Sequence, residues 1–127
     1  LQMMASPETD VYRLETHEGM GDILLARAIS SVREGAAAPD RVASANLEKA
    51  QQHFAAGLKI DKTNPNCNRG KGICLFFREL SRQAIHYLEQ ATANAPDGSS
   101  RDYEAHFYLA RALEDQLKAE LRPSLNT

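Results

Sequence analysis

The feature that most constrains this chain is its self-similarity at an interval of 34 residues, which separates Ala50 from Ala84, Phe54 from Leu88, Gly57 from Ala91 and Lys62 from Pro96. Small residues recur where backbones can approach closely, and large ones recur where space between units must be filled. A unit of this length is a supersecondary element that cannot bury its apolar face alone, so successive units have to stack. The elements are predicted to be helices. Ala, Leu, Glu, Gln and Arg are abundant and favour helix, and runs of β-branched residues are absent. Val42, Leu47, Ala50, Phe54 and Leu58 follow the helical period. With 127 residues the chain is read as one domain, 1–127, with a modest core.

Ser6-Pro7-Glu8 reads as a helix start, with serine as cap and proline in the first turn. Val11 and Leu14 begin an apolar stripe that Gly19 and Gly21 interrupt, as a break, the favoured reading, or as a close helix contact. The pattern resumes through Ile23, Leu24, Ala28 and Val32 and closes at Gly35, giving an N-terminal helix or helices over 7–37. Pro39-Asp40 opens the next helix, the second of a first repeat, over 39–62. The turn Asp61 to Pro65 leads to a second repeat over 65–98. Its first helix is predicted from about Asn66 to Leu80, and its second is capped by Ser81. After a Pro-Asp-Gly-Ser turn, a last helix is predicted over 101–121, as a partial third repeat or a capping helix. Pro123 is expected to end it, leaving a polar tail over 122–127.

The stretch Gly72-x2-Leu75-x8-Ala84-x3-Leu88-x2-Ala91-x4-Pro96 resembles the consensus order of small, aromatic and alanine residues in the tetratricopeptide repeat family. The resemblance covers about residues 42 to 118. It departs at Leu75 and Leu88, where the family often has an aromatic, and at Lys62, where it has proline. Gly72 and Ala110 are 38 apart, as are Leu75 and Leu113, which fits a lengthened turn around Asp97 to Ser100. Gly21 to Ala50 is longer than the family's spacing of about twelve. Either both helices of the first hairpin are extended, or an extra helix precedes it. The resemblance implies an all-α fold of antiparallel hairpins stacked as a short right-handed superhelix of about five to six helices.

It further implies a protein-protein interaction module, a scaffold or adaptor that catalyses nothing. In such proteins the first helix of each repeat lines a concave groove. The corresponding positions here are Asn66, Arg69, Ile73 and Phe76 in one repeat, and Glu104, Phe107, Arg111 and Glu114 in the next. The peptide-binding set is therefore Asn66, Arg69, Ile73, Phe76, Phe107 and Arg111. Arginines suit carboxylates and aromatics supply anchoring area, so the expected ligand is a peptide or protein segment with acidic and apolar residues. Residues 66–82 carry Arg69, Lys71, Arg78 and Arg82 against Glu79 alone, in keeping with that ligand. Some family members clamp a C-terminal carboxylate with Lys, Asn and Arg, but Ile73 and Glu104 depart from that pattern. The alternative is a self-assembling domain of a larger protein, with the first hairpin or the last helix packed on a copy.

Other chemistries find little support. The net charge of −2 argues against nucleic acid. No segment approaches the length of a membrane span. His17, His53, His86 and His106 have no metal-site spacing, so no metal or other cofactor is expected. Arg69-Gly70-Lys71-Gly72 has the wrong glycine spacing for a phosphate loop; the plainer reading has Gly72 packing and Arg69 and Lys71 partly solvated. Cys67 and Cys74 lie too far apart along a helix to pair, which favours a reducing, cytoplasmic compartment. Cys74 reads as a small core residue, while Cys67 lies near a helix N-terminus, where thiols gain reactivity. The chain begins with Leu1, so a removed leader or a membrane-attached parent chain is compatible with the sequence.

Overall fold

A computed structural model describes residues 7–33, 40–94 and 100–125. Five helices account for nearly all of them: α1 (Pro7–Arg33), α2 (Arg41–Ile60), α3 (Pro65–Phe77), α4 (Ser81–Asn94) and α5 (Ser100–Leu125). The protein is all-α, and its helices pack as successive hairpins. Among the described residues α3 touches every other helix, whereas α2 and α4 do not touch each other. Helices α1, α3 and α5 therefore lie side by side in one layer, with α2 and α4 behind them.

Local sequence sets the helix ends. Asp40 Oδ1 accepts from the Ala43 N–H at 2.8 Å, capping α2. Asn64 Oδ1 accepts from the Cys67 N–H at 2.8 Å, and Pro65 occupies the first turn of α3. The turn after α3 is a Schellman closure, in which Leu80 N donates to Leu75 O at 2.9 Å and Glu79 N to Phe76 O at 3.0 Å. Glu79 takes the left-handed conformation, φ 63°, that this closure requires. The helix expected to reach Leu80 consequently stops at Phe77. Ser81 is the first residue of α4, one position past the expected cap. The caps and turns expected at Ser6, Gly35 to Pro39 and Ala95 to Ser99 lie outside the described residues.

Two expectations are corrected. First, α1 is unbroken through Gly19 and Gly21. Gly21 is a site of close approach: a Cβ there would lie 2.7 Å from the Phe54 ring of α2. Both helices of the first hairpin are extended, at 27 and 20 residues against 13 and 14 in the second. Second, α5 continues through Pro123 to Leu125. Proline removes one N–H donor and its ring crowds the carbonyl four residues earlier, but near a C-terminus few turns remain to be disturbed.

The core centres on Phe54, which is fully buried. Its ring lies between Gly21 of α1 and Gly70 of α3, where a Cβ would come within 2.7 and 2.3 Å respectively. Gly72 receives Leu88 of α4 in the same manner, at 2.6 Å. The residues spaced by the repeat interval, Ala50, Phe54, Ala84, Leu88 and Ala91, are all buried. Gly19, in contrast, faces open space, with nothing within 4 Å of where a Cβ would sit. Gly19→Ala is expected to raise stability by about 0.5–1 kcal/mol through backbone entropy. Gly21→Ala is expected to lower it, because the Phe54 ring must shift. Urea denaturation midpoints of the two variants check the pair.

Candidate functional site

The layer of α1, α3 and α5 carries an open recess of about 220 Å³, lined by Asp22, Leu25, Ala26 and Ile29 of α1, Arg69 of α3 and Glu104 of α5. Its floor is a polar cluster. Arg69 Nη2 donates to Asp22 Oδ1 at 3.1 Å and to Asn66 Oδ1 at 2.5 Å. Arg69 Nη1 donates to Glu104 Oε1. Asn66 Nδ2 donates to Asp22 Oδ2 at 3.3 Å. One guanidinium thus joins three helices.

This alters the reading of Arg69. Its side chain is only 7% exposed, so it is neither partly solvated nor free to meet a ligand carboxylate. A desolvated guanidinium without counter-ions is costly, and Asp22 and Glu104 supply two. The cluster carries one positive and two negative formal charges, so the recess floor is not cationic. Nε of Arg69 remains buried without a hydrogen-bond partner.

The six expected groove residues separate into two groups. Asn66, Arg69 and Ile73 are interior, Ile73 with no exposure at all. Phe76, Phe107 and Arg111 meet at the surface. The Arg111 guanidinium lies 6.0 Å from the Phe76 ring centre and 5.8 Å from that of Phe107. Tyr108 holds the platform from below, with ring centres 5.4 Å from Phe76 and 5.1 Å from Phe107. Of the flanking acids, Glu104 faces Arg69, whereas Glu114 pairs with Lys118 at 3.0 Å. The Lys118 hydrogen bond and charge hold the Glu114 carboxyl below its usual range.

Beyond the platform, α5 presents the uncovered face that the self-assembly alternative requires of the last helix. Ala105, Tyr108 and Ala112 bury one face. Tyr103, Phe107, Leu113, Leu117 and Leu121 lie on the opposite face, between 47 and 74% exposed. Their helical spacing was legible, but the burying side of an isolated helix was not.

Neither thiol is poised for chemistry. Both cysteines are buried and unpaired with each other. Burial, aided by Glu18, Asp22 and Asp61, pushes the Cys67 thiol up to about 12 and outweighs its place near a helix N-terminus. Burial likewise pushes Cys74 up to about 12.

At the junction of α1 and α2, His17 Nδ1 and His53 Nδ1 lie 3.1 Å apart, so one ring donates and the other accepts. Burial, then the charges of His53 and Arg13, lowers the His17 pKa from 6.5. The unfolded chain therefore takes up this proton first as pH falls. Acidification below pH 6.5 is expected to weaken the fold. Comparing urea unfolding at about pH 7.5 and about pH 5.5 checks this, with the decrement smaller in His17→Gln. Among the described residues no group of three or more His, Cys, Asp or Glu side chains is placed to hold a metal ion.

No family model matches this chain, and neither a curated protein nor a solved structure matches it. No described helix is long and apolar enough to cross a membrane.

Proposed function

We propose that this chain is a protein-protein interaction module that receives a segment of a partner on the α1-α3-α5 layer. The observation that carries the reading is the uncovered face of α5. Five large apolar side chains, Tyr103, Phe107, Leu113, Leu117 and Leu121, are spread over the side of α5 turned away from the core, and the arginine-aromatic platform at Phe76, Phe107 and Arg111 lies at its edge. An uncovered apolar face on this scale is characteristic of an interaction surface. Leu113, Leu117 and Leu121, four residues apart, suit the apolar anchors of a partner helix. Arg111 provides the free cation that Arg69 does not, so a carboxylate on the partner beside its apolar anchors fits the platform.

Affinity capture from native lysate, read by mass spectrometry, tests the proposal with Phe107→Glu/Arg111→Glu against wild type and a Lys49→Glu surface control. A protein retained by wild type and control and lost by the double variant supports it. Equal recovery by all three overturns it.

The same stripe favours a second reading, self-association. Arg111, Lys118 and Arg122 are interspersed with Glu114, Asp115 and Glu120 around the apolar residues, so a second copy of α5 offers charges of both signs. Light scattering across a dilution series tests this. A mass that falls on dilution, and is monomeric at every concentration in Leu117→Glu, supports it; a concentration-independent monomer excludes it.

A further inference from the structure

Behind the α1-α3-α5 layer, α2 and α4 stand apart over the back of α3, leaving a cleft of about 490 Å³. It is lined by Ala55, Leu58, Lys59, Lys62, Asn68, Lys71, His86, Tyr87 and Gln90. That volume lies within the range of ligand-binding clefts.

The charge of this lining is one-sided. Three lysines contribute and no carboxylate does, although the whole chain carries a net charge of −2. No Asp or Glu lies within ion-pairing distance of Lys59, Lys62 or Lys71 among the described residues. The nearest acid in sequence, Asp61, is engaged locally, accepting from the Thr63 N–H at 3.1 Å and the Thr63 hydroxyl at 3.0 Å. The helix dipole accounts for a cation at Lys59, in the last turn of α2. It does not account for Lys71, which lies mid-helix on α3 with its ammonium 4.4 Å from the Tyr87 ring centre. That contact fixes the charge against the cleft wall. Asn68 is held on the floor by donating to the carbonyls of Lys62 and Asn64, each at 3.2 Å. The apolar part of the lining comes from Ala55, Leu58 and the Tyr87 ring.

We infer that this cleft is a second docking site, for an acidic segment of a partner protein that anchors an apolar side chain between Leu58 and Tyr87. Charge complementarity selects an acidic occupant, and the apolar part of the lining selects a peptide over a small anion. The inference does not depend on the role proposed for α5, which lies on other helices.

Fluorescence anisotropy of a labelled hexapeptide of alternating glutamate and leucine tests the inference on the full chain. Saturable binding is expected, with a Kd of about 10–100 µM. The triple variants Lys59→Glu/Lys62→Glu/Lys71→Glu and Lys59→Gln/Lys62→Gln/Lys71→Gln are each expected to weaken it by at least about tenfold, and salt is expected to weaken it too. None of the three lysines is buried, so both variants should keep the wild-type helical circular dichroism; the neutral variant decides the matter if the reversed one does not. Phe107→Glu/Arg111→Glu separates the two faces: binding that survives this variant and is lost in the lysine variants belongs to the cleft, and binding lost in it but kept in the lysine variants belongs to α5 and overturns the inference. The inference is overturned by binding unchanged in the neutral variant, by equal binding of a lysine-leucine hexapeptide, by absence of saturable binding, or by displacement with inorganic phosphate or hexaglutamate at concentrations matching the glutamate-leucine peptide.

Discussion

Phe54→Ala is expected to lower the free energy of unfolding by about 3–5 kcal/mol, towards the upper end for a phenylalanine truncation. The spread among such truncations depends on how well neighbouring groups relax into the space left behind. Here two walls of that space are the backbones of α1 at Gly21 and α3 at Gly70. Neither wall has a side chain to swing inward, so relaxation requires whole helices to move. The converse substitution is also informative. A Cβ at Gly70 would lie 2.3 Å from the ring, so Gly70→Ala is destabilising on its own. In Gly70→Ala/Phe54→Leu, the smaller side chain vacates part of the clash, and the double variant is expected to be more stable than the two single losses together imply. Urea denaturation of the four proteins measures the coupling. Additive losses would show that ring and glycine do not share one site.

The second large effect is expected at Arg69. Arg69→Ala removes the only cation from a cluster containing Asp22 and Glu104, at a cost of about 3 kcal/mol. The cost is held below the fully buried limit because the Asp22 and Glu104 side chains are 27% and 43% exposed and regain water. Adding Asp22→Asn/Glu104→Gln to Arg69→Ala is expected to recover much of the loss, since no unpaired charge then remains. Thermal unfolding of the single and triple variants distinguishes a charge effect from a packing effect, which the triple variant would not relieve. Charge reversal at Arg69 consequently reads out folding, so the proposed binding is tested by reversal at Arg111.

The all-helical architecture was legible because it depends on composition and local period. Ala50, Phe54, Ala84, Leu88 and Ala91 announce themselves by spacing, and each is buried. Asn64-Pro65 marks a helix start through chemistry that is complete within four residues. What was not legible depends on relations between helices. Gly21 has the same local preference whether it breaks a helix or admits a ring from a neighbour 33 residues away, and only packing distinguishes the two. The expected groove failed at Arg69 and Ile73 for a related reason. Helical spacing specifies a face, but α1 and α5 flank α3 in the same layer, and Asp22 and Glu104 reach across to pair with Arg69. The partner of Arg69, Asp22, lies 47 positions away, with no periodic signal to link them. The lysine cleft draws on three helices and was equally invisible as a pattern.

The two buried thiols carry one further consequence. With both pushed up to about 12, Cys67 and Cys74 are protonated at neutral pH and shielded by the helices around α3. An alkylating reagent reaches them only when α3 comes away from its neighbours, so the native chain contains its own clock for internal opening. The two positions are time-stamped separately. Cys67 faces Gly57 of the first hairpin, and Cys74 lies a heptad further along the same helix. Unequal alkylation rates would show that the neighbouring helices part from α3 one at a time; identical rates would show that they part from it as a single cooperative body.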